Sequence, residues 1–255
     1  MTIRDLGLAV VRTAPWLEQV GRWVYAHLPR SLHDTPTSRL RAHFARESRV
    51  TFVQIGAYDG VAGDPIRCLV VENDGWSGVM VEPQPDAFDR LQRNYADQSR
   101  RLQFLNVAIS DASGEKTLFC IPEAEQRRLG LSEWAGELAS FSREHLLRHF
   151  PHPSIASRTV KTIAFAEAAN RLPGGHVDVV ILDVEGHERT IIEDIDLERH
   201  RVKFIVYEHK HLSASDCAAV ESKLRRYGFS LKQFGRDTIA CRFLASASPE
   251  VAISS

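Results

Sequence analysis

Apolar positions along the chain change their period near residue 50. Before that point Leu6, Val10, Val11, Trp16, Val20, Trp23, Val24 and Leu28 recur at roughly helical spacing, with Pro15 interrupting the run. Turn formers fill 29–37, and a second short helix is expected to run toward Arg46. The pattern predicts a helical leader over 1–48 that packs on a sheet edge, caps a site or joins a homo-oligomer. From Val50 onward, short apolar runs alternate with amphipathic stretches. Strands are predicted at 50–55, 78–82, 102–109, 177–182 and 202–207. Helices are predicted up to residue 73 and over 86–98, 164–171, 188–197 and 216–227. The run 177–182 is almost continuously apolar, which suits a parallel strand covered on both faces.

Two extended segments, 116–121 and 158–163, flank a region that breaks the alternation. Residues 122–157 hold Trp134, Phe141, His145, His149, Phe150 and His152, and read as a helical insertion that forms a substrate lid. A terminal strand pair, 229–233 and 238–243, closes the pattern. The expectation is a doubly wound, mostly parallel α/β sheet with a terminal antiparallel strand, over 49–244, and a flexible tail over 245–255.

Composition narrows the partners. Of 255 residues, 44% are hydrophobic and 25% charged, and the formal net charge of −1 offers no basic surplus for nucleic acid or an anionic membrane. The four cysteines form no C-x-x-C pair and read as reduced thiols of a cytoplasmic protein. Charges throughout 1–30 argue against a signal peptide, and no apolar run approaches the roughly 20 residues of a membrane span.

Candidate chemistry gathers at the strand ends. After the first strand comes Gly56-Ala57-Tyr58-Asp59-Gly60, where glycines let the backbone turn sharply beside a ligand; taken alone it could be only a tight turn. Glu82, followed by Pro83, ends the second strand, where an acid can accept from both hydroxyls of a ribose. The third strand leads through Asn106 and Ala108 to Asp111, polar groups that could touch an adenine edge or simply form a turn. The buried run 177–182 opens into Asp183-Val184-Glu185-Gly186-His187-Glu188, three carboxylates and an imidazole within six residues. Such acids can orient a hydroxyl, take its proton or hold a divalent metal, although an acidic helix start is the simpler account of Glu188. The fifth strand ends in Glu208 and His209, followed by His211.

In their order, Gln54 to Gly60, Val81-Glu82-Pro83, Asn106 to Ser110 and Asp178 to Glu188 resemble the FkbM family of methyltransferases, over about 50–242. The resemblance implies a class I methyltransferase (Rossmann-like) fold, S-adenosylmethionine as donor, and methylation of an oxygen on a sugar, polyketide or other secondary metabolite. It places Gln54, Gly56, Ala57, Tyr58 and Gly60 by the methionine part, Glu82 and Pro83 by the ribose, and Asn106 with Ala108 by the adenine. Asp183 borders donor and acceptor alike. The family often has Asp where this chain has Gln54, and Lys where it has Ile181. Catalysis is therefore expected from Asp183, His187, Glu208 and His209, with Asp183 and Glu208 as ligands in a Mg²⁺-assisted variant. The acceptor is expected to be a small molecule or glycan. Rival readings are a nicotinamide-dependent oxidoreductase, which the missing pyrophosphate fingerprint opposes, and a ligand-binding or assembly protein that keeps the fold without catalysis.

Overall fold

The computed structural model describes residues 35–242, apart from 62, 132–137 and 150–152. The first predicted leader helix and the predicted tail lie outside the described residues. What is described of the leader is α1 (Pro36–His43), where Thr35 accepts from the amide of Ser38 and Pro36 sits in the first turn. Leu40 of α1 is fully buried and Phe44 packs edge-on against Trp76, so this helix belongs to the core.

Alternation then builds the main sheet. Its strands are β1 (Val50–Ile55), β2 (Trp76–Val81), β3 (Leu102–Leu105), β8 (Val179–Leu182), β9 (Phe204–Glu208), β10 (Ser230–Phe234) and β11 (Asp237–Cys241). The spatial order is β10-β11-β9-β8-β1-β2-β3. The five from β3 to β9 run parallel, and β11 enters antiparallel between β9 and β10. Helices α2 (Arg67–Glu72), α3 (Pro85–Asn94), α6 (Phe165–Ala169), α7 (Glu188–Asp194) and α8 (Ala214–Arg226) make the crossovers.

Side-chain alternation explains the apolar run of β8. Val180 and Leu182 join Val53, Ile55, Ile191 and Val220 in one buried cluster. Val179 and Ile181 point the other way, into a cluster with Phe52, Met80, Phe204 and Leu40. Both faces are covered, so neither can be polar.

A second sheet departs from the predicted pattern. The predicted strand 102–109 divides into β3 and β4 (Ala108–Ile109), and β4 pairs with β7 (Ala156–Ile163) instead of staying in the main sheet. The break falls at Asn106, whose side-chain amide donates to the carbonyl of Glu82 at 2.8 Å. The two extended segments are long partners: β5 (Gly114–Cys120) pairs antiparallel with β7 along its length and with β6 (Ala139–Ser140) at its end. Between them lie α4 (Glu123–Leu129) and α5 (Arg143–His149), so the insertion is helical with a strand added. Among the described residues no helix is long and apolar enough to cross a membrane, and all four cysteines are free thiols.

Candidate active site

A cavity of about 480 Å³ opens at the carboxyl ends of β1, β2, β8 and β9. This is the edge where an open α/β sheet leaves room for a ligand. The turn after β1 forms one wall. The amides of Gly56 and Ala57 both donate to the carbonyl of Val81, which pins the turn to β2. Gly56 has φ +76°, and an added Cβ would collide with the Asp183 carbonyl oxygen, far inside van der Waals contact. Only glycine allows the β1 and β8 ends to approach this closely.

Glu82 is buried at the tip of β2. Its Oε2 accepts from the Tyr58 amide at 2.9 Å and its Oε1 from the Gln84 amide at 2.8 Å. Burial pushes the carboxyl up to about 7, with those two amides opposing the shift. Each oxygen keeps capacity for one more donor.

Gln54, from the body of β1, also lines the cavity and is 3% exposed. Its side chain hydrogen-bonds Asp64, while its Oε1 has no hydrogen-bond partner. A buried acceptor without a donor is costly unless a ligand supplies one. Asp64 is held by the amides of Ile66 and Arg67 and by the Tyr95 hydroxyl at 2.8 Å. Burial raises its carboxyl above the ordinary carboxylate range.

The acidic run forms the opposite wall. Asp183 reaches solvent through the cavity mouth but is walled by protein on most sides. Burial there, with Asp237 adding repulsion, pushes its carboxyl up to about 6. Glu185 adopts φ +53° and Gly186 φ +98°. The tight bend is held by Glu188, whose carboxylate accepts the amides of Val184 and Gly186, both at 3.0 Å. Glu188 is fully buried, and burial raises it to about 8. It is thus a staple for the loop and no part of the cavity wall. His187 lines the cavity, 3.0 Å from the Ser110 hydroxyl and edge-on to Phe141. Burial lowers its pKa to about 4, so the ring is neutral near pH 7. Glu208 completes the wall, and burial with Asp183 and Glu185 nearby raises it to about 8.

Of the residues expected from the sequence, Gln54, Gly56, Ala57, Tyr58, Glu82, Pro83, Ala108, Asp183, His187 and Glu208 line the cavity. Three do not. Gly60 is a packing position, where a Cβ would run into Tyr95 and Leu91. Asn106 turns back onto the β2 main chain, and Val107 and Ile109 face the cavity beside Ala108. His209 turns toward β11, its Nδ1 2.9 Å from the Thr238 hydroxyl. Strand parity accounts for this, because Glu208 points inward and its neighbour must point away. His211 returns to the inner side instead, 3.3 Å from Glu208. Glu185, one of the three acids of the run after β8, also lines the cavity, as do Asp64, Arg236 and Asp237, which the sequence pattern does not single out, and Thr37, which brings α1 to its rim. The two expected metal ligands, Asp183 and Glu208, offer oxygens that lie within 4.8 Å of each other and of Glu185.

Residues 54–231 match the family model described as a methyltransferase FkbM domain. Among solved structures, the methyltransferase FkbM from Methylobacillus flagellatus KT aligns with a TM-score of 0.50 at 11% identity. The alignment covers 76% of this chain and 44% of that one, so this chain spans less than half the length of that relative. A precorrin-6y C5,15-methyltransferase from Geobacter metallireducens GS-15 aligns with a TM-score of 0.42 at 12% identity, over 84% of this chain and 92% of that one. No curated protein matches the sequence.

Proposed function

The chain belongs to the FkbM methyltransferase family, and on that premise we propose that it transfers the methyl group of S-adenosylmethionine to a hydroxyl of a sugar, polyketide or other secondary metabolite. The observation that carries the donor is the pair of acceptors with unmet capacity on one wall of the cavity. Glu82 suits the two ribose hydroxyls, and the orphaned Oε1 of Gln54 suits the donor's ammonium group. Where the family often has Asp, the chain retains an acceptor in Gln54 and places the carboxylate of Asp64 behind it.

When bound, S-adenosylmethionine supplies a sulfonium-activated methyl. The chain's task is then to align the acceptor oxygen and manage its proton. Asp183 is ionised above about pH 6 and takes the hydroxyl proton. His187, neutral and fixed by Ser110, offers a second polar contact to the acceptor. Phe141 and Ser140, from the insertion, form an amphipathic wall suited to a small molecule or a glycan.

Calorimetry with S-adenosylmethionine and with NAD tests the donor, and mass spectrometry of extracts incubated with labelled donor tests the acceptor. Binding of S-adenosylmethionine alone, with label carried into a hydroxyl-bearing metabolite, is the expected result. Binding of NAD alone would replace the reading with an oxidoreductase, and binding of neither with a non-catalytic ligand-binding protein.

A further inference from the structure

We propose that His145, Glu185, Glu208 and His211 form a binding site for one divalent transition metal of the Zn²⁺ class, which clips the insertion onto the strand ends of the main sheet. The four side chains come from separated parts of the sequence. His145 lies on α5, Glu185 in the bend after β8, Glu208 at the end of β9 and His211 just beyond it. Their donor atoms converge. Nε2 of His145 is 2.9 Å from Oε2 of Glu185, and Nε2 of His211 is 3.3 Å from Oε2 of Glu185 and 3.3 Å from Oε2 of Glu208. A tetrahedral site with bonds of about 2.0–2.2 Å has ligand-to-ligand edges of roughly 3.3–3.5 Å. Of the six edges of such a tetrahedron, two of these three match and the third needs only a small outward movement; His145, Glu185 and His211 lie within 4.8 Å of one another, and Glu208 joins them through His211.

A second observation points to a ligand. Glu208 is 4% exposed, and its Oε2 has no hydrogen-bond partner although His211 lies within ion-pair distance. This oxygen is aimed into the cluster. A buried carboxylate oxygen in that state carries the full cost of lost hydration unless a cation meets it. Asp183 adds a third acid within 4.8 Å of Glu185 and Glu208, so the pocket wall concentrates negative charge that a 2+ ion would offset.

The donor set selects the ion. Two imidazoles with two carboxylates suit Zn²⁺ and its first-row neighbours, whereas Mg²⁺ prefers oxygen ligands and water. Four protein ligands make the site closed, hence structural. Binding through Nε2 moves the His145 ring proton to Nδ1, so the 3.3 Å approach of the exposed Arg148 guanidinium to Nδ1 gives way on loading. The position of the site explains why Glu185 takes φ +53°: that backbone turns its carboxylate toward both histidines. The Ser140 hydroxyl donates to the Glu185 carbonyl at 3.0 Å and holds the same bend from the insertion side. Because Glu185 and Glu208 also line the cavity, the ion would fix the wall against which the acceptor lies.

The test uses the full chain, dialysed against EDTA and then offered Zn²⁺, Co²⁺ or Mg²⁺ separately. The expected result is one Zn²⁺ per chain by elemental analysis, a rise in Tm with Zn²⁺ but not Mg²⁺, and the intense visible band of a tetrahedral Co²⁺ site. His145→Ala and His211→Ala should weaken Zn²⁺ binding by more than the roughly 10- to 100-fold typical of losing an outer contact, and His176→Ala, outside the cluster, should not. Glu208→Gln provides a near-isosteric variant should either alanine variant fail to fold, with the same expected loss. Retention of full Zn²⁺ affinity in the ligand variants, binding of Mg²⁺ alone, or no binding of Zn²⁺ would each overturn the site. The inference stands apart from methyl transfer, since metal content is read without donor and S-adenosylmethionine binding is measured separately by calorimetry.

Discussion

Asp183 and Glu188 lie five residues apart on one bend, yet burial gives their carboxyl groups different work. Asp183, raised to about 6, is still ionised at neutral pH and faces the cavity. If it takes the acceptor proton, kcat rises with pH through about 6. Asp183→Asn should then lower kcat by roughly 10²–10⁴ with little change in donor affinity. An unchanged kcat would remove it from the mechanism. Glu188, raised to about 8, is protonated in the folded chain while the unfolded chain ionises above its ordinary 4.5. The unfolded state therefore binds fewer protons between these values, and stability contributed by Glu188 falls as pH climbs from about 4.5 to about 8. Urea melts at pH 5 and pH 8 should show this fall. Glu188→Gln should flatten it, and should cost about 1–3 kcal/mol at pH 5 because one of the two loop amides loses its acceptor.

At the scale of elements, the site depends on how closely the ends of β1 and β8 approach. Asp183 donates its amide to the carbonyl of Ile55, and the Gly56 turn passes directly over the Asp183 carbonyl. Gly56→Ala meets both a left-handed backbone at φ +76° and a collision with main chain, which cannot move aside as a side chain could. The expected cost is at least about 2 kcal/mol. Calorimetry should also show donor affinity lost, since the turn carries Ala57 and Tyr58 against the cavity. A variant that melts and binds like the parent would show that the approach is unimportant.

Across the molecule, one cation reinforces the pairing of the terminal hairpin with β9. Arg242 is 8% exposed and donates to the carbonyls of Val202, Leu197 and Tyr227 and to the Glu198 carboxylate at 2.6 Å. It joins the end of β11 to the connections before β9 and after α8. The hairpin turn, with Arg236 and Asp237, completes the cavity rim. Arg242→Met leaves three carbonyls without that donor and should destabilise the fold by about 3 kcal/mol, read as a lower urea midpoint. A loss under about 0.5 kcal/mol would mean that water satisfies those carbonyls.

The strand–helix alternation, the apolar run of β8 and the ordered strand-end motifs were legible in the sequence because they are local. Periodicity declares which faces are covered, and a glycine or acid at a strand end keeps its place whatever the crossover does. The same reading merged β3 with β4, because the departure of the chain at Asn106 is decided by a side-chain bond to another strand. It also weighed His209 over His211, although parity turns His209 away from the cavity; the return of His211 to the inner side is set by the loop beyond Glu208, where strand parity no longer applies. Gly60 has the sequence setting of a ligand contact, but Tyr95 and Leu91 pack against it and make it a close-approach position. The sequence by itself determined the layers, the sheet edge at which the cavity opens and the family. Tertiary structure alone brought His145 of the insertion to Glu185 and His211, and His211 to Glu208, since such convergence depends on long-range packing that no spacing along the chain encodes.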